Sequence, residues 1–137
     1  KRRNKLKRLA SELPVPQTYG PNEGQVLIVG WGSTFGPMRE AVDRFRALGD
    51  AVSGLHLKYV NPLPNGLEEI FKGFRHVFVV ELNDEGLYGY GQLGAVLRAR
   101  YCDPKIRGIT KVDGLTWKVK EILDKVRASL GSGMSKG

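Results

Sequence analysis

The chain has 137 residues, a formal net charge of +8, one cysteine and two histidines. This length suits one domain that buries roughly two-thirds of the surface exposed by its unfolded chain. One cysteine excludes an intrachain disulfide and a four-thiolate iron–sulfur cluster, and no apolar run reaches the ~20 residues that span a bilayer. We therefore expect a cytoplasmic protein.

The positive charge is concentrated at the start of the chain. Residues 1–13 contain six lysines and arginines and the single acid Glu12, so they account for +5 of the +8. Four apolar residues recur at helical spacing, namely Leu6, Leu9, Ala10 and Leu13, and the prolines that follow would end such a helix. The pattern predicts a basic helical arm over residues 1–16. A nucleic-acid contact through this arm is one open alternative, which a steep salt dependence would reveal.

The first regular elements follow a turn-rich segment that can hold a short edge strand at Gln17–Gly20. The apolar run Val26–Val29 predicts a strand buried on both faces, followed by a glycine loop and a helix with Pro37 in its first turn. Gly49 suits a left-handed C-terminal cap. The predicted buried face of this helix consists of Met38, Ala41, Val42, Phe45 and Leu48.

The glycine loop between this strand and helix could bind phosphate through free backbone N–H groups. However, Gly30, Gly32 and Gly36 are spaced one residue wider than G-x-G-x-x-G, and Ala51–Val60, the next predicted strand, supplies no acid for a ribose hydroxyl. We interpret the glycines as allowing tight packing. A free-standing nucleotide-binding module remains the alternative function, and saturable nucleotide binding would identify it.

Strands and helices alternate through the rest of the chain. Further strands are predicted at Val77–Val80 and Ile106–Thr110, and the last helix can be capped by Thr116. Three more helices are predicted from apolar residues on one face: Leu67, Ile70, Phe71 and Phe74; Leu93, Val96, Leu97 and Tyr101; and Val119, Ile122, Leu123, Val126 and Leu130. This alternation predicts a mainly parallel sheet with helices on both faces.

The sequence contains no clear catalytic or metal-binding constellation. His56 and His76 are twenty residues apart, and Ser33 and Thr34 lack the G-x-S-x-G spacing of a nucleophile elbow. The loop between Glu81 and Gln92 follows a central strand and leads into a helix, where open α/β sheets usually hold ligands. Its glycines and tyrosines suit a protein contact, and an ordinary solvated loop is equally compatible with them.

Five motifs occur in a recognisable order along the chain. They are Gly30–Thr34, Pro62–Pro64, Glu81–Asn83, Gly91–Leu93 and Lys111–Gly114. Together they resemble the C-terminal domain of the alpha subunit of the 2-oxoacid:ferredoxin oxidoreductases, most of all the 2-oxoglutarate type. The resemblance implies a transketolase C-terminal-like fold, a three-layer α/β/α unit. Its mostly parallel, five-stranded sheet would begin with a short antiparallel strand.

In such enzymes thiamine diphosphate with Mg²⁺ decarboxylates the 2-oxoacid, coenzyme A accepts the acyl group, and an iron–sulfur cluster passes electrons to ferredoxin. The resemblance places this chemistry in the preceding alpha-subunit domain and the beta subunit. This domain is then expected to contact both, with no catalytic residue, bound cofactor, metal, membrane or specific nucleic acid of its own. The candidates for an interface or ligand loop are Trp31, Ser33, Thr34, Asn83, Tyr88, Tyr90 and Gln92.

The predicted organisation has three parts. The arm, residues 1–16, resembles the segment that links the thiamine-site domain to this one. Residues 17–130 form the transketolase C-terminal-like domain. Residues 131–137 resemble a linker followed by the first residues of a green fluorescent protein tag.

Overall fold

The computed structural model describes residues 15–31, 35–57, 66–81, 92–110 and 118–130. Within these ranges the chain alternates between strands and helices, as the hydrophobic pattern predicts. In chain order the elements are β1 (Gly24–Trp31), α1 (Phe35–Ala47), β2 (Val52–Leu57), α2 (Leu67–Lys72), β3 (Phe74–Glu81), α3 (Gln92–Tyr101), β4 (Ile106–Thr110) and α4 (Val119–Leu130).

The strands form one parallel sheet in the order β2-β1-β3-β4. β1 is central, and its Val29 lies opposite Leu55 of β2 and Val79 of β3. All three of these side chains are fully buried. Continuous apolar runs suit such strands because helices cover both faces of a parallel sheet. The predicted mainly parallel α/β architecture is confirmed.

The helices pack in two layers on opposite faces of the sheet. Alternate residues of each strand point to opposite faces, which separates the core into two clusters. One cluster joins α1 and α4 to the sheet and contains Val26, Ile28, Met38, Ala41, Val42, Phe45, Val52, Phe78, Val80, Ile109, Ile122, Leu123 and Val126. The other joins α2 and α3 to the sheet and contains Leu27, Val29, Leu55, Leu57, Leu67, Phe71, Phe74, Val77, Val79, Leu93, Leu97 and Ile106. This is the expected three-layer α/β/α arrangement.

The segment before β1 covers the outer edge of β2. Tyr19 forms an antiparallel bridge with Gly54, in which the Tyr19 N–H donates to the Gly54 carbonyl at 2.7 Å and the Gly54 N–H donates back at 2.9 Å. The Tyr19 hydroxyl also donates to Asp43 of α1 at 2.7 Å. In the described residues, the fifth, antiparallel strand expected at Gln17–Gly20 is therefore represented by this single bridge.

Two glycines have identifiable structural roles. Gly54 lies under α1, where an added Cβ would be 3.2 Å from Val42 Cγ2 and 3.4 Å from Met38 Cε. Gly49 follows α1 with φ +90°, which confirms the predicted left-handed cap. Gly32, on the glycine loop, and Thr116, the predicted cap of α4, lie outside the described residues. At the start of α4, the Lys118 N–H donates to Glu121 Oε1 at 2.9 Å, one half of a capping box.

Three expected positions are wrong. Leu48 is 37% exposed because α1 ends at Ala47, so this residue lies in the following turn. Phe74 is the first residue of β3 and not part of α2, since it pairs with Gly24 of β1. Val96 is 45% exposed because α3 buries a narrow face formed by Leu93 and Leu97.

Candidate functional site

The carboxyl ends of β1 and β3 meet at the centre of the sheet. The two strands are neighbours, with Gly30 opposite Val80, and each ends one residue later, at Trp31 and Glu81. From β1 the chain continues to β2, which is the neighbour of β1 on one side, whereas β3 and β4 lie on the other side of β1. In doubly wound sheets this change of direction opens a crevice in which ligands bind. Trp31 and Glu81 occupy that position here.

The Glu81 carboxylate holds three structural elements together. Its Oε1 accepts hydrogen bonds from Trp31 Nε1 at 3.0 Å and from the Leu93 backbone N–H at 2.6 Å. Its Oε2 accepts from the Gly94 backbone N–H at 3.0 Å. The Glu81 residue is 1% exposed. We call this arrangement of Trp31, Glu81 and the Leu93–Gly94 backbone the carboxylate clasp.

The clasp also explains how α3 begins. Leu93 and Gly94 lie in its first turn, where backbone N–H groups have no partner inside the helix. The first turn of α3 contains no acidic residue of its own. Glu81 supplies from β3 the negative charge that is favourable at a helix N-terminus. A phosphate bound at the start of α3 would have to displace this buried carboxylate.

The structure brings two of the seven predicted site residues to this edge. Trp31 is half-buried, and its indole N–H is directed at Glu81. Gln92 is the first residue of α3, adjacent in sequence to the N–H groups that Glu81 binds. The other five, Ser33, Thr34, Asn83, Tyr88 and Tyr90, lie outside the described residues.

Glu81 is the residue of this site that our sequence prediction missed. The sequence presents Glu81 only as the start of a motif, whereas Asn83, two residues later, is one of the predicted contact residues. A signal was nevertheless present. Glu81 ends the apolar strand Phe74–Glu81, and the next helix lacks an acid in its first turn. A buried carboxylate at that point needs hydrogen-bond donors, and the start of a helix provides them.

The two histidines lie toward opposite edges of the sheet, His56 opposite Gly30 of β1 and His76 opposite Val26. The His56 ring packs on Phe35 with a centroid separation of 4.9 Å, near the carboxyl end of β2. His76 stands near the amino end of β3, where burial and then the charges of Arg107 and Arg75 lower its pKa.

Among the described residues, no group of three or more histidines, cysteines and acids could hold a metal ion. No helix in the described ranges has the length and apolar character to cross a membrane.

Comparison with known protein families shows to which family the chain belongs. Residues 24–122, from the start of β1 into α4, match the sequence model of the pyruvate:ferredoxin oxidoreductase core domain II. The chain belongs to this family. Trp31 and Glu81, and with them the clasp, lie inside the matched region of this core domain II.

Individual relatives show which kind of oxidoreductase subunit this chain is similar to. The chain is 36% identical over 113 residues to the 2-oxoglutarate oxidoreductase subunit KorA of Mycobacterium tuberculosis. That alignment covers 82% of this chain but only 16% of the relative. The chain therefore spans about a sixth of the length of this curated relative.

Solved structures agree with this assignment. A 2-oxoglutarate:ferredoxin oxidoreductase from Magnetococcus marinus, with 2-oxoglutarate, coenzyme A and succinyl-CoA bound, is similar with a TM-score of 0.80 and 29% identity. The match covers 95% of this chain and 22% of that one. A split-gene transketolase in an inactive beta4 tetramer matches with a TM-score of 0.62 and 20% identity, over 83% of this chain and 41% of that one. The latter likeness establishes the fold alone.

Proposed function

We propose that this chain is the structural and subunit-interface domain of a thiamine diphosphate-dependent 2-oxoacid:ferredoxin oxidoreductase, with 2-oxoglutarate as the substrate. The complete enzyme would convert the 2-oxoacid and coenzyme A to acyl-CoA and CO2 while reducing ferredoxin. Family membership and the similarity to 2-oxoglutarate enzymes support this activity. The proposal places the enzyme in the cytoplasm.

The carboxylate clasp is the observation that carries the structural part of the proposal. At the crevice where a doubly wound sheet would hold a cofactor, Glu81 is 1% exposed and receives hydrogen bonds from Trp31, Leu93 and Gly94. A carboxylate so arranged fixes the ends of β1, β3 and α3 relative to one another. It supports a rigid scaffold better than a site for proton transfer or phosphate binding.

The same geometry disfavours phosphate binding at the start of α3. The positive end of that helix is already neutralised by Glu81, so a nucleotide phosphate gains little there. We therefore assign thiamine diphosphate, Mg²⁺ and the iron–sulfur cluster to other parts of the complete enzyme. This domain would be residues 17–130, joined through the arm to the preceding alpha-subunit domain.

The carboxyl edge of the sheet is the surface we propose for contact with the beta subunit or the preceding domain. Trp31 and Gln92 lie there, and so do both ends of the loops that contain the other candidates. Phe35, at the start of α1, adds an aromatic ring that is 45% exposed near the same edge. Aromatic residues are enriched at protein interfaces, which supports this choice.

Two binding measurements test the proposal. Calorimetry with thiamine diphosphate and Mg²⁺ should detect no binding to the 137-residue chain, whereas the complete alpha–beta complex should bind. In the complete alpha subunit, Phe35→Ser at the proposed surface should weaken co-purification of the beta subunit. The matched control, Val96→Ser on the exposed face of α3, should leave co-purification of the beta subunit unchanged. Tight thiamine diphosphate binding by the chain alone, or equal co-purification by both variants, would contradict the assignment.

A further inference from the structure

A basic cleft lies between α1 and the start of α4, in the helical layer opposite to α2 and α3. Its volume is about 750 Å³. Four of its lining residues are cations and two are acids, so the lining has a net charge of +2. These residues are Arg39, Arg44, Lys118 and Lys120 against Glu40 and Asp43, and all six are exposed. We call this feature the α1–α4 cleft.

One cation and one acid of the cleft are held by contacts within the chain. The Asp43 carboxylate accepts a hydrogen bond from the Tyr19 hydroxyl at 2.7 Å. The Arg39 guanidinium lies over the Tyr19 ring, 5.0 Å from its centre. Hydrogen bonding and charge from Tyr19, followed by charge from Asp43, raise the pKa of Arg39. Arg39 and Asp43 therefore balance one another beside the Tyr19 ring.

The other three cations of the cleft lack such partners. The side chains of Arg44, Lys118 and Lys120 form no hydrogen bond, ion pair or ring contact with any other residue in the described ranges. Of the acids that line the cleft in this part of the chain, only Glu40 is left to balance them. A cleft with an excess of unpaired positive charge attracts negatively charged groups.

The cleft continues the surface that we propose for subunit contact. Gly36 lines the cleft and is adjacent in sequence to Phe35, the exposed aromatic residue near the carboxyl edge of the sheet. From Gly36 to Arg44 the helix α1 rises ~12 Å. The positive charge therefore extends from the carboxyl edge along α1.

The arrangement of charges favours a protein as the partner. The cations are exposed and spread over two helices, whereas one phosphate would need donors that converge on a point. A nucleic-acid strand carries closely spaced phosphates and would place some of them against Glu40 and Asp43. A folded protein can present carboxylates opposite the cations alone. The cleft therefore suits an acidic protein surface.

The point at which the chain enters the domain lies on the other side of the sheet. Val15, the first described residue, packs beside Gly66 at the start of α2, where an added Cβ would lie 3.1 Å from Val15 Cγ1. The connection to the preceding alpha-subunit domain is thus on the α2 side. The α1–α4 cleft, in the opposite layer, is left for a separate subunit.

We propose that acidic side chains of the beta subunit occupy the α1–α4 cleft and form ion pairs with Arg44, Lys118 and Lys120. This inference rests on the proposed function, because that function supplies the beta subunit. It adds the chemistry of the surface that meets this domain, namely a group of aspartates or glutamates.

Carbodiimide cross-linking of the complete alpha–beta complex provides a direct assay, because the reagent joins a lysine amine to a carboxylate without a spacer. Mass spectrometry should find Lys118 or Lys120 linked to an aspartate or glutamate of the beta subunit. A link between Lys72 and Glu69, which lie 3.0 Å apart on α2, shows that the reaction has worked. Lys118→Arg with Lys120→Arg keeps both charges but removes the amines, so it should abolish the links to the beta subunit and change the dissociation constant less than about twofold.

Charge reversal measures how much the pairing contributes to assembly. Arg44→Glu or Lys120→Glu should each raise the dissociation constant of the complex, measured by mass photometry, about threefold to tenfold, since like charges would then lie opposite each other. Raising the ionic strength from about 0.1 M to about 1 M shortens the screening length from about 10 Å to about 3 Å and should remove most of this difference. The matched control, Arg75→Glu, reverses an exposed cation near the amino end of β3 and should have no such effect. Melting curves show that each variant is folded.

Three results would overturn the proposal. The first is a set of links from Lys118 and Lys120 that leads only to the alpha subunit. The second is an equal effect of Lys120→Glu and Arg75→Glu. The third is an effect of Lys120→Glu that persists at high ionic strength.

Turnover by the same complex distinguishes this failure from failure of the proposed function. If the complex oxidises 2-oxoglutarate but gives any of these three results, the proposed function stands and the acidic surface is wrong. If no beta subunit assembles with the alpha subunit that contains this chain, both are wrong.

Discussion

Replacing Glu81 by glutamine tests how strongly the clasp stabilises the domain. The substitution keeps the size of the side chain but turns one carboxylate oxygen into an N–H donor. One amide oxygen can still accept from Trp31 Nε1 and the Leu93 N–H, which lie 3.0 and 2.6 Å from Oε1. The Gly94 N–H, 3.0 Å from Oε2, would then face another donor.

The magnitude follows from the bonds that are changed. Hydrogen bonds to charged groups contribute about 1.5–3 kcal/mol each, and a buried donor without an acceptor costs about 1–3 kcal/mol. With partial relaxation, we expect Glu81→Gln to lower the free energy of unfolding by about 2–4 kcal/mol. For a domain of this size, each kcal/mol shifts the melting temperature by roughly 3–4 °C, so a decrease of about 6–16 °C follows.

Urea denaturation followed by circular dichroism measures the change. Trp31→Phe should cost about 1 kcal/mol, because it removes one of the donors to Glu81. The double variant should be less destabilised than the sum of the two, since the bond from Trp31 Nε1 to a neutral amide oxygen is weaker than its bond to the carboxylate. Glu23→Gln, at an exposed position, is the control and should have no effect beyond about 0.5 kcal/mol. The reasoning is refuted if Glu81→Gln is no more destabilising than this control.

Two further predictions concern the backbone and a histidine. Gly24→Ala would place a Cβ 2.8 Å from the Ala51 carbonyl oxygen and should lower the unfolding free energy by about 1–3 kcal/mol. Gly36→Ala, at an open position of α1 directly before Pro37, should change it by less than about 0.5 kcal/mol in the same urea titration, because the gain in helix propensity is opposed by the clash of the new Cβ with the proline ring. Because burial and neighbouring arginines lower the pKa of His76 below its ordinary value of 6.5, the unfolded chain binds more protons near that pH. Stability should therefore fall as the pH drops through 6.5, and melting curves of His76→Gln between about pH 7 and pH 5 should show a weaker dependence; an unchanged dependence would contradict the assignment to His76.

The sequence was sufficient to predict the elements whose signals are local. The run Val26–Val29 is fully buried on both faces, as continuous apolar strands of a parallel sheet are. The predicted fourth strand, Ile106–Thr110, has the observed bounds. Gly49 has the positive φ that its position after a helical stripe predicts. Each of these signals depends on a few consecutive residues.

The errors arose where tertiary contacts override a local pattern. Phe74 continues the helical spacing of Leu67 and Phe71, yet pairing with β1 places it in a strand. This pairing begins where the Gly24 N–H donates to the Gly73 carbonyl at 2.9 Å. No helical periodicity contains that information, because the two strands are distant in sequence.

The clasp was missed for the same reason. Glu81 binds donors 12, 13 and 50 positions away in the chain. Sequence reasoning placed its candidates at the carboxyl edge of the sheet, where Trp31 and Gln92 lie, since loops after parallel strands converge there. It did not identify which side chain is buried at that edge, because this depends on β1 and β3 being neighbours.

Turnover by the purified components is the most direct test of the central claim. The assay follows coenzyme A-dependent reduction of a low-potential acceptor with 2-oxoglutarate, first with the 137-residue chain and then with the complete alpha–beta complex that contains it. We predict no turnover by the chain and turnover by the complex. Reduction by the chain alone would contradict its role as a structural and interface domain, and a complex inert toward every 2-oxoacid would contradict the proposed activity.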